Sequence, residues 1–298
     1  MDRELQGIMF SINPLIKYLK EPLITDIFVD KGLVSIKRFG KGREDTNEKL
    51  SSQTVRNIIV QIAKYEGKEI DYKTYPVLEG NIPLFDARIT GLMYWTNEPC
   101  LIIRKRPSFV ITIDEYVKNG CLKMEDALLI KKAIKNKENI LVSGGPGSGK
   151  TTFTNAVIKE MSDIEPSSSF FVVEDTNELL SLGKYTENIT VPPSLTQKAI
   201  ELALRSSPDR IIFGEIRNGY VLKALLDSWN TGCPGGVATI HANSAKSCIP
   251  RMKMLLNDVG AIDYPIKESI SLIVHMKKDE RCGVIVDQIL ETKNIGEE

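Results

Sequence analysis

Apolar and polar positions follow two different rhythms along this chain, with the change falling about a third of the way in. In the first part, Asp26–Asp30 and Leu33–Arg38 are short β-rich runs separated by Lys31-Gly32, the pattern of a tight hairpin. Gln53–Tyr65 sets Val55, Ile58, Ile59, Ile62 and Ala63 at helical spacing, which makes one apolar stripe. Phe85–Gly91 alternates, with Asp86, Arg88 and Thr90 on one face and Phe85, Ala87 and Ile89 on the other. Leu101–Arg104 is another short apolar run that ends in charge. These elements predict a small α+β domain over residues 1–107, ending near Pro107. Residues 108–121 show weak periodicity and contain Asn119-Gly120, so a linker is expected there.

From Leu122 the rhythm becomes helices alternating with strands that are apolar on both faces. Met124–Ile134, Thr151–Met161, Thr196–Arg205 and Val221–Trp229 read as helices. Asn139–Ser143, Phe170–Val173, Arg210–Gly214 and Gly236–His241 read as strands. Strands without a polar face, interleaved with helices, need a mostly parallel sheet covered on both sides. Residues 122–298 are therefore expected to form an α/β domain.

Composition narrows the function more than the fold. The 298 residues suit two domains, and a 42% hydrophobic content supports packed cores. Lysine plus arginine equals aspartate plus glutamate at 39 each, so there is no global basic field. An aromatic-and-basic stripe is also missing, which argues against nucleic acid as a direct ligand. No apolar run approaches the roughly 18–20 residues that cross a bilayer, and Met1–Phe10 carries Asp2, Arg3 and Glu4 instead of an apolar signal core. A cytoplasmic chain without its own transmembrane segment is expected. Cys100, Cys121, Cys233, Cys248 and Cys282 lie far apart with no C-x-x-C pair, which speaks against a zinc ribbon and fits a reducing compartment.

The most specific signal is Gly144-Gly145-Pro146-Gly147-Ser148-Gly149-Lys150-Thr151, a complete G-x-x-x-x-G-K-[ST] loop, followed by Thr152. Its glycines let successive N–H groups turn toward phosphate oxygens, and the helix starting near Lys150 adds its positive end. Lys150 would neutralise the β- and γ-phosphates of ATP, and the Thr151 hydroxyl would enter the Mg²⁺ shell. Hydrolysis also needs a carboxylate for the attacking water and an acid near the metal. Two strand ends supply candidates: Phe170–Val173 runs into Glu174-Asp175, with Glu178 beyond, and Arg210–Gly214 runs into Glu215. Ligands of open α/β sheets lie at the carboxyl ends of strands, so both acids point toward the phosphate crevice. Taken alone, Glu174-Asp175 also reads as a helix cap, and Glu215 as a surface acid paired with Arg217. His241 ends the fourth strand after the Asn230–Gly236 turn, again a polar side chain at a strand end, whereas His275 lies in an apolar run and reads as structural.

Taken in order, Gly144–Thr152, Val173–Leu179, Ile212–Arg217 and Thr231–Asn243 resemble the Walker A, Asp box, atypical Walker B and His box of the type II/IV secretion NTPases. Pro83–Gly91 with Leu101–Lys105 resembles that family's junction between N-terminal and motor domains, so the resemblance covers about residues 15–290. It implies a RecA-like P-loop domain behind a smaller α+β domain. The short chain and missing cysteine cluster favour the conjugal-transfer, VirB/Trb-type branch. The resemblance further implies that Glu215 polarises water with help from Glu174, either of them serving Mg²⁺ through water, and that His241 senses the γ-phosphate. Arg217 belongs to the Walker B segment, and Arg88 and Arg104 would reach the nucleotide from the N-terminal domain. Arg88 could equally pair with Asp86 on a solvated face. Such enzymes are homo-hexamers at the cytoplasmic face of the inner membrane, working with secretion or conjugation complex proteins. The chain departs from the family pattern at Cys233, where the first His-box histidine is usual, at Tyr220, where an acid is usual, and at Asn177, where proline is common. Other readings of the residues are a helicase-like translocase stimulated by nucleic acid, a nucleotide-binding regulator without turnover, and a related type II secretion or type IV pilus ATPase.

Overall fold

The computed structural model describes residues 3–38, 41–71, 73, 75–106, 109–281 and 283–294. Pro107 and Cys282 fall outside them. Contacts along the chain separate two units, Met1–Phe109 and Val110–Glu298.

Unit 1 opens with helices α1 (Arg3–Ile12) and α2 (Ile16–Lys20). Strands β1 (Ile24–Asp30), β2 (Leu33–Arg38) and β3 (Arg43–Lys49), helix α3 (Ser52–Tyr65), and strands β4 (Val77–Ile82), β5 (Ala87–Leu92) and β6 (Cys100–Lys105) follow. The strands form one sheet in the order β3-β2-β1-β6-β5-β4, antiparallel throughout. Lys31 and Gly32 have φ of 50° and 74°, the left-handed pair that a two-residue hairpin turn demands. The apolar stripe of α3 (Val55, Ile58, Ile59, Ile62) packs with Ile8 and Ile12 of α1 against Ile27, Val29, Ile89, Leu101 and Ile103 of the sheet. Two elements escape the hydrophobic pattern. β3 reads Arg-Glu-Asp-Thr-Asn-Glu-Lys and has no apolar position at all, so only pairing with β2 makes it a strand. Phe85 and Asp86, expected in a strand, instead lie in the β4–β5 turn, where Leu84 and Asp86 have φ of 72° and 47°. Asp86 pairs with Arg106 at 3.4 Å. Lys105 is buried, its ammonium donates to the carbonyls of Tyr18 and Glu21 at the end of α2, and burial lowers its pKa.

Unit 2 begins inside the segment expected as a linker. Helix α4 (Ile113–Lys118) is started by a capping box in which the Thr112 hydroxyl accepts from Glu115 N–H and the Glu115 carboxylate accepts from Thr112 N–H. Its Tyr116 meets Phe153 edge-on at 5.2 Å, and Ile113 is fully buried in the same core. Six residues were too few for periodicity to reveal this helix. Then come α5 (Met124–Lys135), β7 (Ile140–Gly144), α6 (Lys150–Ile164), β8 (Ser169–Glu174), β9 (Tyr185–Thr190), α7 (Thr196–Arg205) and β10 (Arg210–Ile216). The unit is completed by α8 (Gly219–Asn230), β11 (Val237–Ile240), α9 (Cys248–Asn257), β12 (Leu272–Asp279) and β13 (Gly283–Glu291). The sheet order is β13-β12-β7-β11-β10-β8-β9. All neighbours from β12 to β9 are parallel, and β13 closes one edge antiparallel. Every residue of β7 and β11 is buried, as a sheet covered on both faces requires. One core lies under α7, α8 and α9, the other under α4, α5 and α6. Among the described residues, no helix is long and apolar enough to cross a membrane.

Arg210 fastens the amino ends of these strands. It is completely buried and donates to Gly235 O at 2.7 Å, Ile134 O at 3.1 Å and the Glu165 carboxylate at 3.0 Å. Those three acceptors belong to the turn before β11, the end of α5 and the end of α6, so one guanidinium joins three connections. Removing it leaves two carbonyls and a carboxylate without that donor. Arg210→Ala should therefore lower unfolding stability by about 3 kcal/mol or more in urea titration. A loss under about 0.5 kcal/mol, ordinary for a surface change, would contradict this role.

Candidate active site

The carboxyl end of β7 leads directly into the glycine loop. Gly144, Gly147 and Gly149 have φ of 153°, 65° and 87°, values that L side chains rarely adopt. At Gly144 a Cβ would also stand 2.4 Å from Ser148 Oγ and 2.5 Å from Met276 O, so strand β12 closes in on the loop backbone. Pro146 and Gly147 form the exposed crown, Gly145 and Thr152 are half-buried, and Ser148 is buried beneath. Lys150, the first residue of α6, is also buried; its ammonium lies 3.2 Å from both Gly144 O and Gly145 O, and 3.3 Å from His241 Nδ1. An anion seated in the loop competes with those carbonyls for the same donors.

Beside the loop, β11 and β10 deliver the next groups. His241 follows the last residue of β11, and its Nε2 lies 2.9 Å from Glu215 Oε1. Its Nδ1 lies 3.3 Å from the Lys150 ammonium and 3.2 Å from Gly144 O, while Nε2 faces the Glu215 carboxylate, so the ring bridges the loop and the acid. Arg217 then joins Glu215 at 3.3 Å and Asp175 at 2.6 Å. Lysine, histidine, glutamate, arginine and aspartate thus run in one chain of contacts across the strand ends. Behind the loop, His275 Nδ1 lies 3.0 Å from Ser143 Oγ; burial lowers the imidazole pKa and keeps it neutral. Burial also pushes the Cys248 thiol up to about 11, so it is no nucleophile at neutral pH.

The two Asp-box glutamates occupy opposite environments. Glu174, the last residue of β8, is 1% exposed, and its Oε2 accepts from the Glu178 N–H at 2.8 Å and the Leu179 N–H at 3.0 Å. It thereby holds the loop that follows it. Gly214 makes the room, because a Cβ there would stand 2.8 Å from Glu174 Cβ. Glu178, which the loop carries forward, accepts from the Thr151 hydroxyl at 3.1 Å. Asn155, one turn further along α6, accepts from Leu180 N–H and donates to Glu178 O at 3.4 Å. Sequence reading named Glu174-Asp175 and Glu178 together at this strand end, gave a role only to Glu174, and passed over Asn155. The available signal was Glu178 standing four residues after Glu174, the reach of one tight turn.

The remaining positions separate. Arg88 and Arg104 lie in unit 1 and face each other across β5 and β6. Ala87, Ile89 and Ile103 point into the core, which places both arginines on the opposite face. Cys233 is buried in the core, while Tyr220 and Asn177 are exposed. None of these three touches the glycine loop among the described contacts.

If Glu174 holds the loop, removing its carboxylate should free the Glu178 and Leu179 amides. In Glu174→Ala, hydrogen exchange at those two amides should speed up about tenfold or more, as expected when a buried charge-assisted bond is lost. Unchanged exchange would assign the loop's order to other contacts.

A family model described as type II/IV secretion system protein matches residues 78–294. A probable conjugal transfer protein TrbB of Sinorhizobium fredii is 34% identical over 262 residues, covering 87% of this chain and 80% of that protein. Among solved structures, the ATPase DotB of Yersinia pseudotuberculosis aligns with a TM-score of 0.70 at 17% identity, covering 99% of this chain and 81% of that one. The pilus retraction motor PilT, solved with bound ADP, aligns with a TM-score of 0.64 at 21% identity, covering 89% and 78%. At these identities the two structures speak for the fold.

Proposed function

This chain belongs to the type II/IV secretion system protein family, and we propose that it is the ATP-hydrolysing motor of a bacterial conjugation or type IV secretion apparatus. The observation that carries the reading is the contact chain from Lys150 through His241 to Glu215. It joins the phosphate loop to a partly exposed carboxylate late in β10, two strands from β7 in the sheet.

In this reading the N–H groups of the glycine loop and the start of α6 hold the β-phosphate, and Lys150 turns from its own carbonyls to the β- and γ-phosphates. Glu215 receives the proton of the attacking water, and ADP and phosphate leave. His241 connects the two events, because an ammonium drawn to phosphate changes what Nδ1 meets while Nε2 stays with Glu215. Arg217 keeps Glu215 and Asp175 in register. Mg²⁺ fits the hydroxyl of Thr151 and the carboxylate of Glu178, both hard oxygen donors beside the loop. When bound, the ion neutralises charge on the phosphates. Glu174 serves by positioning Glu178.

Arg88 and Arg104 are proposed as further cations for the nucleotide. What supports this is that both lie in the segments Pro83–Gly91 and Leu101–Lys105, within the residues the family model matches. The proposal extends to a homo-hexameric ring, peripheral at the cytoplasmic face of the inner membrane and docked on conjugation-complex proteins.

Three variants test the reading. Lys150→Ala should abolish measurable phosphate release. Glu215→Gln should still bind Mg-ATP yet turn over about 10²-fold or more slowly, because the shape persists and the base is gone. Arg104→Ala should lower turnover while light scattering shows the oligomer intact. Near-normal turnover in Glu215→Gln would move the base to another acid, and normal turnover in Lys150→Ala would remove the ATPase reading altogether.

A further inference from the structure

The C-terminal hairpin is more than an edge to the sheet. β12 and β13 lie against the glycine loop at three positions: Met276 O at Gly144, Lys278 at Gly147 and Val284 at Gly149. A methyl group on Gly147 would stand 3.4 Å from Lys278 Cε and 3.5 Å from Lys278 Nζ, so this ammonium rests on the crown of the loop. Neighbouring charges are already engaged. Lys277 faces Asp287 at 3.9 Å, and Asp279 Oδ1 accepts from the Arg281 N–H at 2.8 Å. Among the described residues, no hydrogen bond or ion pair holds the Lys278 side chain, which is exposed.

Sheet order decides which part of a nucleotide this ammonium would meet. β7 stands between β12 and β11. The hydrolytic candidates His241 and Glu215 arrive from the β11 and β10 side, where the γ-phosphate must lie to be attacked. Lys278 arrives from the opposite side, over the crown of the loop, where the part of the nucleotide that is not transferred remains. We propose that Lys278 is a binding residue for the α-phosphate of the nucleotide, a second lysine at the loop that serves affinity and leaves the chemical step alone. The inference rests on the nucleotide-binding reading of the loop.

A contact made equally to substrate, transition state and product changes KM without changing kcat. The full-length chain with Lys278→Ala should show a KM for Mg-ATP and a Kd for ADP each raised about five- to tenfold, with kcat within about twofold of the parent. Lys278→Arg, which keeps the charge, should restore both. Weakened ATP with unchanged ADP would place the ammonium at the γ-phosphate and overturn the proposal, as would a collapse of kcat. Unchanged affinity for both nucleotides would overturn it too. Lys150→Ala, measured alongside, separates the failures. If it binds nucleotide normally, the loop reading itself falls; if it loses binding while Lys278→Ala does not, only this inference falls.

Discussion

The parallel pairing of β7 with β12 on one side and β11 on the other is the constraint from which the site descends. Parallel strands bring all their carboxyl ends to one edge, so whatever follows each strand meets there. The loop after β7, His241 after β11, Glu215 late in β10 and Glu174 ending β8 are neighbours for this reason alone. Burial of β7 on both faces also removes its freedom to slip, since a shifted register would expose apolar side chains or bury the loop's polar backbone. The glycines then do what a rigid strand end cannot. Their left-handed backbone bends the chain back within van der Waals reach of β12 and still starts a helix at Lys150.

Three carboxylates of one chemistry are given three tasks by their surroundings. Glu174 is enclosed and its Oε2 accepts from two backbone N–H groups, so it shapes the loop. Glu178 rides on that loop and meets the Thr151 hydroxyl. Glu215 stays partly open to solvent, between an imidazole and a guanidinium that both donate to it. In the proposed reading, access to water suits Glu215 to the part of base, and His241 links it to the phosphate lysine. Gly214 ties the arrangement together: the missing side chain on β10 is the space that the Glu174 side chain on β8 occupies.

The departures from the family pattern fall where the glycine loop does not depend on them. Cys233 fills a core position, and burial raises its thiol pKa, so it contributes volume and no charge. Tyr220 and Asn177 face solvent on the outside of the unit. Neither lies in the line of contacts from Lys150 through His241 to Glu215.

Local signals in the sequence determined the elements with strong periodicity and the loop chemistry. The stripe of α3, the apolar strands β7, β8, β10 and β11, the Lys31-Gly32 turn and the phosphate loop were all legible because each is decided within one element or one turn. Strand β3, helix α4 and the edge strands were not, since pairing and packing with distant segments, and not their own pattern, make them regular. The division of labour among the acids was equally out of reach. Which carboxylate is enclosed depends on the glycine of a neighbouring strand 40 residues away, and Lys278 meets Gly147 only because β12 pairs with β7. The residue types were therefore set by the sequence, and their roles were decided by tertiary pairing, because burial and proximity control desolvation and charge and neither is a property of a residue's immediate neighbours.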